Sequence, residues 1–239
     1  MTQQTDKTIV SFLLDETGSM GSVRDKTISG FNEYISILKT NELPTILRLM
    51  TFNTEGANVP YDFEEINSVA DLTRESYRPR AMTNLYDAMA GLVHDTERYI
   101  KHMSPRPEVI FTIMTDGLEN SSTEYTREAI FSLVSEKERE GWAFVYLGAN
   151  QDAWAVSESI GIDRGSSANY QADAPDRALR STAEATIRYA RRRVKGRKVE
   201  QFFVQEDIVK IKRRKPVKIS GEDKKKIRWE RPDKKQASK

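Results

Sequence analysis

Ile9-Val10-Ser11-Phe12-Leu13-Leu14-Asp15-Glu16-Thr17-Gly18-Ser19-Met20 decides how the rest of the chain is read. The apolar half has the composition of a short buried strand. It runs straight into a carboxylate and two hydroxyls at alternate positions, ahead of a helix. Three oxygen donors therefore converge where a strand ends. Oxygen-only donors that mix carboxylate with hydroxyl and leave places for water suit Mg2+ or Mn2+, whereas zinc prefers His and Cys. Alone, Asp15, Thr17 and Ser19 also read as a helix cap, since Asp and Ser satisfy free helix amides without a metal. Further ligands elsewhere in the chain would separate the two readings.

Downstream, Ile28, Phe31, Ile35 and Leu38 recur at three or four residues and predict an amphipathic helix over 21–39. Strands follow at 45–52 and 58–63, the second as an edge hairpin partner. An irregular polar stretch over 64–80 then leads to Thr83 and a helix carrying Leu85, Met89, Leu92, Val93 and Ile100. Pro105 and Pro107 end that helix. The run Val109-Ile110-Phe111-Thr112-Ile113-Met114 is continuously apolar, as in a strand buried on both faces of a parallel sheet. It leads into Thr115-Asp116-Gly117, so Asp116 mirrors Asp15 at a second strand end. A helix (126–140), a strand (142–147), a helix from 152, a short strand within 161–173 and a helix to 193 continue the alternation. The order predicts an α/β fold: a three-layer, Rossmann-like sheet, mostly parallel and flanked by helices, with ligands bound beyond the carboxyl ends of its strands.

With 239 residues, 38% of them hydrophobic, the chain can bury one full core. We divide it into a domain over 1–195 and a basic C-terminal extension over 196–239. The absence of cysteine excludes disulfide and thiolate chemistry and points to a reducing, cytoplasmic setting. The N-terminus lacks the pattern of a secretory signal and no apolar run approaches a membrane span, so no membrane contact is expected. The net charge of +2 conceals an asymmetry: residues 1–187 hold 17 Lys and Arg against 29 Asp and Glu, while 188–239 hold 21 against 7. An acidic body, net −12, thus carries a basic end, net +14.

Beyond Gly196 the periodicity fades. Phe202-Phe203-Val204 and Ile208-Val209-Lys210-Ile211 read as short β-prone patches. Arg213-Arg214-Lys215-Pro216 reads as a loose hairpin turn toward Val217-Lys218-Ile219, and 220–239 as a disordered polar tail. Removing 196–239 is therefore expected to leave the body folded. Three roles suit the extension: a solvated segment lying on the acidic body, a docking segment for an acidic protein, or a nucleic-acid contact in which Phe202, Phe203 and Trp229 stack near Lys and Arg. His94 and His102 lie eight residues apart on one helix without a catalytic arrangement and read as surface residues. Asp87 and Glu119 read as helix or loop acids beside the site. Gly161-Ile162-Asp163-Arg164-Gly165 lacks the Gly-Lys-Ser/Thr ending of a phosphate loop.

Taken together, Asp15-x-Thr17-x-Ser19, Thr83 opening a helix, and Asp116-Gly117 after a later strand resemble, in order and spacing, the metal-ion-dependent adhesion site (MIDAS) of von Willebrand factor A domains. Thr83-Asn84-Leu85-Tyr86-Asp87-Ala88 resembles the family's helix-opening threonine segment and Thr115-Asp116-Gly117 its final aspartate segment, and stand-alone bacterial and phage members carry sequences similar to Thr17-Gly18-Ser19-Met20 and Thr115-Asp116-Gly117. The resemblance covers about residues 7–193. It departs at Ala81 and Met82, where a glycine often precedes the threonine, and at Glu16, an extra acid. It implies a Rossmann-like sheet with Mg2+ (or Mn2+) held by Asp15, Thr17, Ser19, Thr83 and Asp116, used to bind a partner's carboxylate. Two carboxylates with three neutral hydroxyls leave such a cation electrophilic and short of a ligand, which an Asp or Glu of a partner protein fills. The expected function is a non-enzymatic, metal-dependent protein-binding module. The competing reading is a nucleic-acid-associated protein whose basic tail binds phosphate while the A domain serves as assembly platform. A metal-assisted hydrolase fits less well, because no general base or nucleophile accompanies the ligands.

Overall fold

The computed structural model describes residues 7–41, 43–149, 152–199 and 201–212. Strand β1 (Thr8–Asp15) is buried along its whole length. A short 3-10 turn at Gly18–Val23 leads into helix α1 (Arg24–Lys39), followed by the hairpin β2 (Thr45–Asn53) and β3 (Gly56–Glu65). After a long connection come α2 (Leu85–Ile100), β4 (Glu108–Thr115), α3 (Arg127–Arg139), β5 (Ala143–Ala149), α4 (Ala153–Ser159), β6 (Ser167–Tyr170), α5 (Pro175–Val194) and α6 (Gln205–Lys212). The strands form one sheet in the order β3-β2-β1-β4-β5-β6, parallel except for β3 at one edge. The expected three-layer α/β architecture is therefore the observed one.

Side-chain alternation along the strands makes two cores. Val10, Phe12 and Leu14 of β1 face α1 and α5, while Ile9 and Leu13 face α2 and the residues of α3 and α4. Phe12 meets Phe31 of α1 edge to face at 5.2 Å. Helices α1 and α5 pack so closely that a Cβ on Gly30 would lie 2.5 Å from Asp176 Cα, which explains the glycine in the middle of α1. Local signals set the helix ends: Thr126 Oγ1 accepts from Ala129 N at 3.3 Å, Asp152 caps α4, and Pro175 opens α5. Parallel registry of β1 with β4, Leu14 opposite Met114, brings Asp15 and Asp116 to the same end of the sheet.

The C-terminal patches correct the sequence reading. Ile208-Val209-Lys210-Ile211 belongs to a helix, α6, and not to a strand. Phe202, Phe203 and Ile211 are buried in the core on the α5 side, at 2%, 3% and 0% exposure. Both phenylalanines are thus withdrawn from any role in stacking on bases, and the core extends past residue 196. The patches are too short to separate the two periodicities, and packing on α5 and β6 settles the matter. The hairpin expected around Arg213, the tail over 220–239 and Trp229 lie outside the described residues. Among the described residues, no helix is long and apolar enough to cross a membrane.

Candidate metal centre

The five oxygen-bearing residues singled out in the sequence come together at the carboxyl end of the sheet. Asp15, the last residue of β1, has no exposed surface. Its Oδ1 accepts from Thr17 N at 2.7 Å, and its Oδ2 accepts from Thr115 Oγ1 at 2.5 Å. Thr17 Oγ1 and Ser19 Oγ lie 3.1 Å apart, and Ser19 Oγ donates to Asp116 Oδ1 at 2.5 Å. Thr83 arrives from the connection before α2. Its Oγ1 is 3.1 Å from the point a Cβ on Gly117 would occupy, and Asp15 Oδ2 is 4.0 Å from that point. A side chain at Gly117 would therefore wedge into the cluster.

Electrostatics make this a cation-seeking arrangement. Burial pushes the Asp15 carboxyl up to about 6, against the hydrogen bonds from Thr115 and Thr17, and repulsion from Asp116 adds to the rise. Burial also raises Asp116, opposed by its hydrogen bond from Ser19. A buried carboxylate repelled by a half-buried neighbour is relieved by a positive charge placed between them. The donor set, two carboxylates and three hydroxyls, fits a hard divalent cation that keeps some waters. The helix-cap alternative fails locally: neither the 3-10 turn nor α1 has a side-chain cap hydrogen bond.

Several residues that hold the site had no local signature in the sequence. Tyr77 Oη donates to Asp15 O at 2.6 Å, and Tyr170 Oη donates to Thr115 O at 3.3 Å. Burial raises both phenols well above their ordinary range, so they stay protonated donors behind the two strand ends. Asn120 pairs with Thr83 through both its main chain and side chain. Glu119 accepts from Tyr86 N, Ser121 N and Ser122 N, and Asp87 accepts from Thr123 N, Glu124 N and Tyr125 N. These two acids thus clamp the Asp116 loop to the start of α2. Asp87→Ala leaves three backbone amides without that acceptor and is expected to cost about 1–2 kcal/mol in urea unfolding. His94 instead bonds Glu97 and Tyr125 on the flank of α2.

No protein-family model matches the sequence, and neither does any curated protein. Solved structures do match. The pilus adhesin SpaC from Lactobacillus rhamnosus GG aligns with a TM-score of 0.61 at 12% identity, over 79% of this chain and 31% of SpaC. Proximal thread matrix protein 1 from the mussel byssus, solved with a zinc-occupied MIDAS motif, gives 0.53 at 15% identity, over 77% of this chain and 46% of that one. The von Willebrand factor type A structure from Catenulispora acidiphila gives 0.50 at 14% identity, over 77% and 42%. The chain spans less than half the length of each of these three. With a mostly parallel six-stranded sheet between helices that aligns with these structures, the chain has the von Willebrand factor A fold.

Proposed function

We propose that this chain is a divalent-metal-dependent protein-binding module. In this reading Asp15, Thr17, Ser19, Thr83 and Asp116 hold Mg2+ or Mn2+, and an Asp or Glu of a protein partner completes the coordination. The observation that carries it is a fully buried carboxylate, Asp15, repelled by the half-buried Asp116 within a cluster of hydroxyls. The zinc-occupied MIDAS motif of the byssus protein supports a divalent ion in this fold. Met82 and Leu118, 55% and 59% exposed, flank Thr83 and Gly117. Large apolar groups beside a charge-binding centre favour a protein surface over a small anion, because they exclude water around the central contact. We assign the chain a binding role and no catalysis, and place it in the cytoplasm on its cysteine-free sequence.

The test has two arms. Mg2+ or Mn2+ at about 100 times its dissociation constant should stabilise the wild type by about 2.7 kcal/mol, and Asp116→Ala should lose that response. Affinity capture from source cells should then retain a partner with Mg2+ present and release it in EDTA, with little effect of added salt. Retention that survives EDTA but weakens steeply with salt would favour the nucleic-acid reading instead. Equal metal responses in wild type and Asp116→Ala would remove the metal centre altogether.

A further inference from the structure

Glu16 is a buried carboxylate for which the proposed metal set has no use, and each of its polar groups is engaged. It is 4% exposed. Oε2 accepts from Thr51 Oγ1 at 2.7 Å, and Oε1 accepts from Arg78 N. Its carbonyl accepts from Arg80 N at 2.9 Å and from Asn53 Nδ2 at 3.3 Å, while its N–H donates to Phe52 O at 3.0 Å. One residue thus joins the end of β1, the end of β2 and the segment 78–80.

That segment leads directly to Thr83. Ala81, held at φ +60°, turns its carbonyl to Gly18 N at 3.1 Å, and Met82 exchanges hydrogen bonds with Thr54. Pro79 removes a main-chain donor from the middle of the segment. Glu16 thus fixes the start of the arm carrying Thr83 against the arm carrying Asp15, Thr17 and Ser19, and Ala81 and Met82 continue the registry toward Thr83.

We propose that Glu16 is a positioning residue of the cation site, acting through its hydrogen bonds and not through its charge. The inference rests on the metal reading above, and a charge-controlled comparison separates the two. In Glu16→Gln the amide oxygen still accepts from Arg78 N, and the amide nitrogen donates to Thr51 Oγ1, a hydroxyl able to accept. Glu16→Ala removes the same charge and both bonds. Thr51→Val keeps the charge and removes one bond.

Isothermal titration with Mg2+ should show Glu16→Ala binding about 10-fold or more weakly than Glu16→Gln, the range found when groups that orient metal ligands are lost. Thr51→Val should bind more weakly than wild type despite its intact charge. In the metal-free proteins, amide hydrogen exchange over 78–83 should speed up in Glu16→Ala and Thr51→Val and stay as in wild type in Glu16→Gln. Unchanged protection of β4 would show that the fold persists. Should Glu16→Ala fail to fold, Thr51→Val decides alone: wild-type Mg2+ affinity there overturns the proposal. Equal affinities in Glu16→Gln and Glu16→Ala would overturn it too. A wild type that binds no Mg2+ would defeat the metal reading itself, an outcome visible before any variant is made.

Discussion

A chain ending at Lys195 is expected to unfold, or to melt far below one ending at Lys212. The shorter chain loses Phe202, which packs on Tyr189 at 5.3 Å and edge to face on Phe203 at 5.0 Å, and it loses the fully buried Ile211. It also strips Arg188 of a bidentate pair with the buried Asp207 and of the Phe202 carbonyl. Removing one buried phenylalanine side chain typically costs about 3–5 kcal/mol, and whole domains hold only about 5–15 kcal/mol. Two phenylalanines and the partner of a half-buried arginine therefore approach the entire margin. Asp207→Ala alone should cost about 3 kcal/mol, since it leaves Arg188 without its carboxylate. Circular dichroism melts of the two chain lengths decide this. Melting points within a few degrees of each other would restore the reading in which everything after 196 is dispensable.

Asp15→Asn should make the metal-free protein more stable at pH 7 while abolishing its response to Mg2+. The Asp15 carboxyl is raised from 3.8 to about 6 in the fold, so ionising it there is unfavourable relative to the unfolded chain. Below pH 4 it is protonated in both states and contributes nothing. Between pH 4 and 6 the unfolded chain ionises first and stability falls. Above pH 6 the deficit is constant, about 3 kcal/mol. Asparagine keeps the geometry, accepting from Thr17 N and donating to the Thr115 hydroxyl, and carries no charge to bury. Urea unfolding in EDTA from pH 4.5 to 7.5 should therefore show wild type falling away from Asp15→Asn as pH rises. With Mg2+ present the wild type should recover over the same window, because cation and proton compete for one carboxylate. Parallel pH profiles for the two proteins in EDTA would show that Asp15 is not the strained group.

The strands and most helices were legible because their patterns are local. A sheet buried on both faces demands unbroken apolar runs such as Val109–Met114, and those runs end in carboxylates at the level of the site. Asp15 and Asp116 could be paired from the sequence because parallel strands align their ends, whereas Thr83, which lies on no strand, joined them only through the resemblance to the adhesion site. The supports are long-range. Tyr77 reaches Asp15 across 62 positions, and Glu16 reaches Thr51 across 35, through contacts that leave no periodic trace. Glu16 was visible only as one acid too many. Helix α6 escaped because its buried face consists of Asp207 and Ile211, and a buried aspartate among lysines looks like surface until Arg188 is placed beside it.

Among the described residues, strand β3 has no neighbour on its outer side and forms one long border of the sheet. Yet its pairing with β2 slips twice, between Leu47 and Leu49 and between Leu49 and Thr51, and Pro60 denies it a main-chain donor midway. Its far half carries Asp62, Glu64 and Glu65. An incoming strand from another copy would meet a crooked, donor-poor and negatively charged rail, a poor template for cross-β growth. Many copies crowded together on one scaffold should accordingly stay separate, without fusing into fibrils through their sheets.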